Sequence, residues 1–202
     1  MKITNPILLN YSERTPCKEI FQAICDEIGN HYSKKGFRYA KSQPKLTIQT
    51  ENLKLEIKFY SSGSNMPGSY VNLEILPAFY SSKLAKMNKS KGFLFGHTGL
   101  FYHKYTDNPK LIRVNKIFGE VIDREDEYSY ESKVIDSNNC NLYGINELKL
   151  NQIIEFIDSK IVVWLKKLEN IDEINQFVQD ASPTRKSSFE GNSEFLQYKT
   201  VA

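Results

Sequence analysis

Three histidines, an acidic cluster and a serine-glycine loop are the groups in this 202-residue chain whose types suit chemistry. His97 and His103, with Asp107 beyond them, would form a metal or hydrolytic site if their side chains converged. Neither histidine stands in an HExxH or comparable metal-ligand spacing, and Gly99 interrupts the strand that would align them. Glu125-Asp126-Glu127 is dense enough to attract a divalent cation but lacks the regular oxygen spacing of a calcium loop. Cys17, Cys25 and Cys140 are an odd number without a CxxC pair, which argues against a disulfide framework or a zinc ribbon. The stretch Ser61-Ser62-Gly63-Ser64-Asn65-Met66-Pro67-Gly68-Ser69 has a phosphate loop's composition without its context. A phosphate loop runs into a helix through Lys-Ser/Thr, whereas Ser69 leads into another strand-like run. Pro67-Gly68 instead suits the centre of a type II turn, with glycine supplying the positive φ. No catalytic residue, metal or cofactor is therefore assigned, and a non-enzymatic role is expected.

Two charged surfaces remain as binding candidates. Residues 83–116 carry eight Lys and Arg against one acid, among them Lys83, Lys86, Lys89, Lys91, Lys104 and Arg113. Tyr102 and Tyr105, with three phenylalanines, are interleaved with them. Cations that neutralise phosphates and rings that stack on bases are what single-stranded nucleic acid requires. The second surface is acidic: Asp123, Glu125, Asp126 and Glu127, followed by Tyr128 and Tyr130. Such carboxylates steer a basic protein partner, and the rings supply anchor area. Ser64 and Asn65, at the middle of the serine-glycine loop, complete the partner-binding set.

The elements that must position these groups follow from periodicity. Pro16 suits a first helical position with Thr15 as its cap, and Ile20, Ile24, Ile28 and Tyr32 form one apolar stripe. Gly36 closes that helix. Short strands are expected over 36–40 and 45–50. Leu53, Leu55, Ile57 and Phe59 then alternate with Lys54, Glu56, Lys58 and Tyr60, the pattern of a half-buried strand. Val71, Leu73 and Ile75 repeat it after the loop. Asp107-Asn108-Pro109 resembles a helix start, with Leu111, Val114, Ile117 and Val121 at helical spacing; a strand through 112–114 is the alternative. The apolar series from Leu150 to Leu168 predicts a long closing helix, and a shorter one follows Asn170.

These elements define an α+β class, an antiparallel β-meander packed against an N-terminal helix and C-terminal helices. One domain is expected over 1–180, with 181–202 as a polar, flexible tail. No apolar run reaches bilayer length, and the first fifteen residues make a poor signal peptide, so a cytoplasmic protein with no membrane association is expected. Residues 1–119 hold 18 Lys and Arg against 8 Asp and Glu, while residues 120–202 hold 9 against 16. That polarity makes a field able to steer a charged partner.

Lys34-Lys35-Gly36-Phe37-Arg38, Ile57-Lys58-Phe59-Tyr60-Ser61-Ser62, Tyr70-Val71-Asn72-Leu73-Glu74-Ile75 and Trp164 to Ile171 together carry a resemblance. The chain resembles a family of small bacterial domains of unknown function, in which a KKGF-type segment leads from a helix into a β-meander. The resemblance implies an immunity-type protein that blocks a partner toxin by binding it, and it supplies no catalytic residues. The expected function is thus non-enzymatic protein binding. Nucleic-acid binding through 83–116 is the alternative, and hydrolysis at His97, His103 and Asp107 the third.

Overall fold

A computed structural model describes residues 1–51, 53–81, 104–106, 113–115, 117–118, 120–122, 133–136, 138–163 and 165. The strands of its main sheet are β1 (Arg38–Ala40), β2 (Lys45–Gln49), β3 (Leu53–Tyr60), β4 (Asn72–Ser81) and β9 (Asn139–Asn141). They lie side by side in that order, all neighbours antiparallel. Two further pairs join β5 (Lys104–Thr106) to β8 (Lys133–Asp136) and β6 (Arg113–Asn115) to β7 (Glu120–Ile122). Helices α1 (Pro6–Asn10) and α2 (Cys17–Ser33) precede the sheet, and α3 (Glu147–Phe156) follows it, continuing as a π-helical turn over Ile157–Val162. The expected α+β meander is the observed fold.

One face of the sheet is dry. Leu46, Leu55, Ile57, Leu73 and Ile75 are fully buried there, opposite Ile20, Ile24, Ile28 and Tyr32 of α2 and Leu150, Ile153 and Ile157 from α3 and the turn after it. Full burial of each such side chain contributes about 1.5–3 kcal/mol. Tyr32 joins the two helices, since its hydroxyl donates to Asp158 Oδ1 at 2.9 Å and to the Ile154 carbonyl at 3.2 Å. The other face carries Lys45, Lys54, Glu56, Lys58, Tyr60, Glu74 and Tyr80, as the alternation predicts.

The end of α2 matches expectation and its start does not. Gly36, at φ 87°, lets the Gly36 and Phe37 amides return to the Ser33 and Tyr32 carbonyls, at 3.3 and 3.1 Å. The Tyr32 and Phe37 rings pack edge-to-face at 5.1 Å across that turn. Thr15 does not cap the helix, because its hydroxyl accepts from the Ser12 amide at 2.8 Å in the preceding turn. Pro16 holds the cap position, and its carbonyl takes the first helical bond, from Glu19 at 2.9 Å.

The helix expected from Asp107 is corrected where the structure describes it. Val114 and Val121 pair directly across the β6–β7 hairpin, with Ile117 buried at its turn. The strand alternative holds there. Strand β4 also runs on past Ile75 to Ser81, through Pro77. The Ile75 amide donates to the Asn138 carbonyl at 2.8 Å, on the β9 side, so the nitrogen of Pro77 faces the same edge. Strand β9 pairs only with Asn72 to Glu74, so the proline interrupts no bond of that ladder. The segments 170–180 and 181–202, on which a short helix and a flexible tail were expected, lie outside the described residues.

Tyr39 of β1 points at α2. Its hydroxyl and the Gln22 amide donate to Asp26 Oδ1 at 2.9 and 2.8 Å, while Lys41 pairs with Oδ2 at 2.7 Å. Burial alone would raise the Asp26 carboxyl, yet hydrogen bonds from Lys41, Gln22 and Tyr39, with the Lys41 charge, hold it below its ordinary value. A folded pKa below the unfolded value of about 3.9 gives stability that is complete above that value. It is lost as pH falls through the folded pKa. Asp26→Asn is therefore expected to lower stability at neutral pH and flatten its decline on acidification, as urea unfolding between about pH 5 and about pH 2 would show. An unchanged acid slope would contradict this.

Candidate functional site

The 61–70 loop joins the ends of β3 and β4 and is built as a small hairpin. Met66 and Tyr70 form a bridge, their amides donating to each other's carbonyls at 2.8 and 2.9 Å. Inside it the Ser69 amide donates to the Met66 carbonyl at 3.2 Å, and Gly68 stands at φ 79°, the turn that Pro67-Gly68 predicts. A side chain at Gly68 would also press on Glu13, with its Cβ 3.3 Å from that of Glu13.

Asparagines clamp the loop to the sheet. Asn65 donates through Nδ2 to Ser61 Oγ at 2.6 Å and accepts from the Asn72 amide at 2.8 Å through Oδ1. One side chain thus ties the loop's first residue to the first residue of β4. Asn141 of β9 works from outside, accepting from the Val71 and Tyr143 amides at 2.9 Å each and donating to the Ser69 carbonyl at 3.1 Å. The Ser64 amide donates to Ser62 Oγ at 3.0 Å. With its backbone so engaged, the loop leaves Met66 56% exposed, and Tyr60, just before it, 47% exposed.

Beside Tyr60 and Ser61 lies a cavity of about 450 Å³, walled by Ser42, Gln43 and Pro44 of the β1–β2 turn and by Lys45, Lys58 and Phe59. Its floor is set by register: Lys45 stands directly opposite Lys58 across β2 and β3. Glu56, on the same face, pairs with Lys54 at 3.1 Å and with Lys45 at 3.5 Å. Burial alone would raise the Glu56 carboxyl, but hydrogen bonds and charge from these two lysines hold it below its ordinary value. Lys54 also lies over the Tyr80 ring at 4.5 Å.

Of the residues singled out by sequence, Ser64 and Asn65 fall in this loop. Asp123, Glu125, Asp126, Glu127, Tyr128 and Tyr130 lie outside the described residues, as do Lys83, Lys86, Lys89, Lys91, Tyr102, His97, His103 and Asp107. Lys104 and Tyr105 are on β5 and Arg113 on β6, in two different two-stranded sheets. Among the described residues no grouping of His, Cys, Asp and Glu could hold a metal ion, and no helix is long and apolar enough to cross a membrane. The cavity went unread in the sequence because Lys45 and Lys58 are neighbours only through strand register.

Fold and site together define an α+β domain whose five-stranded meander presents a clamped loop at one end of its open face. No family model matches the chain, and neither a curated protein nor a solved structure gives a significant match.

Proposed function

We propose that the chain is a non-enzymatic protein-binding domain that occludes its partner with the 61–70 loop and the adjoining open end of the sheet. The observation that carries this reading is Asn65, whose two bonds hold the loop in shape while Met66 stands exposed. A loop ordered before binding loses little conformational freedom on association, and a rigidly presented apolar side chain is a suitable anchor. The narrower version is the immunity type implied by the KKGF-type resemblance: a cytoplasmic protein that blocks a toxin, with the acidic residues Asp123, Glu125, Asp126 and Glu127 steering a basic target.

Quantitative affinity capture from the source organism's lysate tests this. Wild-type protein and a Leu148→Asp variant, altered at an exposed position on α3, are expected to retain the same protein partner. Met66→Asp is expected to lose it. If no protein is retained, or if Met66→Asp retains the same set, the reading fails.

A further inference from the structure

We infer that the cavity between the β1–β2 turn and the end of β3 is a binding site for the phosphate monoester group of a small organic ligand. This does not rest on the protein-binding reading. Two lysines, Lys45 and Lys58, line the cavity, and on the same open face Glu56 lies between Lys45 and Lys54. Glu56 is taken by Lys45 and Lys54, and among the described residues Lys58 makes no ion pair. Glu74, diagonal to Lys58 across β4, is not within ion-pair distance of it. Like charges directly opposite across a ladder oppose pairing, so Lys45 facing Lys58 is an arrangement that an anion would relieve.

The rest of the cavity suits such an anion. Ser42, Gln43 and Ser61 line it with hydroxyl and amide donors, and Pro44 and Tyr60 offer apolar surface for an organic group. Its volume lies in the small-ligand range of about 300–1,000 Å³. With Glu56 shared between Lys45 and Lys54, Lys58 is the lining charge left for an anion, and lysine serves phosphate as a point charge.

Titration of the ¹⁵N-labelled full chain with phenyl phosphate at fixed ionic strength tests the site. Saturable amide shifts are expected at Ser42, Gln43 and Lys45 and over 58–61, with inorganic phosphate binding more weakly at the same residues and phenol producing none. Lys58→Gln is expected to weaken phenyl phosphate by about tenfold. Lys58→Glu places a carboxylate opposite Lys45, so the unliganded variant is expected to melt higher than wild type and to gain nothing from phenyl phosphate. Non-saturating or scattered shifts, equal binding by Lys58→Gln, or undiminished stabilisation of Lys58→Glu would overturn the proposal.

Discussion

Replacing Gly29 by alanine is expected to destabilise the domain by about 2 kcal/mol, the reverse of the usual gain from that change inside a helix. Gly29 lies within α2 and faces the Tyr39 ring of β1. A Cβ built there would fall 2.7 Å from Tyr39 Cε1 and nearer still to Cδ1 and Cγ. The ring cannot simply swing aside, because its hydroxyl is bonded to Asp26 at 2.9 Å. Either the strand moves off the helix or that bond is given up. A double-mutant cycle separates this contact from a general helix effect. With Tyr39→Ala in place, Gly29→Ala is expected to be neutral or to stabilise by up to about 1 kcal/mol. Simple additivity of the two losses in urea unfolding would contradict the close approach.

Glu27→Ala is expected to cost about 3 kcal/mol and to release the N-terminal segment. Glu27 is only 4% exposed on α2, and its Oε1 accepts from the Thr4 amide at 2.6 Å, the Thr4 hydroxyl at 2.9 Å and the Asn5 amide at 2.5 Å. These bonds fix the chain just before α1, whose Leu8 is buried in the core along with Ile3. Charge-assisted bonds are individually about twice as strong as neutral ones. Glu27→Gln, which keeps the shape and loses the charge, is expected to cost roughly half as much. Hydrogen exchange at Thr4 and Asn5 should accelerate in both variants. Wild-type exchange there would show that Glu27 does not anchor the segment.

The sequence was most legible where one rule dominated. Leu53 to Tyr60 alternates because β3 has one dry face and one open face. Gly36 and the Pro67-Gly68 turn were readable because positive φ leaves glycine as the natural choice. Elsewhere two geometries fit one pattern. Val114 and Val121 are seven residues apart, which serves two turns of helix or two facing positions of a hairpin equally well. Pro77 ends a strand by propensity, yet its nitrogen faces an edge where β9 has already stopped. Both outcomes are decided by tertiary pairing.

The candidate site was legible only as a loop. Ser64 and Asn65 marked its place, but the double role of Asn65 depends on the positions of Ser61 and Asn72 in the folded hairpin. The facing of Lys45 and Lys58 needs the register of β2 on β3, which the alternation of each strand leaves unspecified. Gly29, unusual inside an apolar helix, carried a signal of close approach without naming Tyr39 as the neighbour.

The central claim is that a preformed loop presents Met66 to a protein partner. Calorimetric titration of the captured partner against wild type, Met66→Asp and Asn65→Ala measures it most directly. Met66→Asp is expected to weaken binding by about 30-fold or more, the scale of a central anchor. Asn65→Ala leaves Met66 in place but unties Ser61 from Asn72, and about a tenfold loss is expected from the ordering that binding must then supply. Equal dissociation constants for all three proteins would contradict the account.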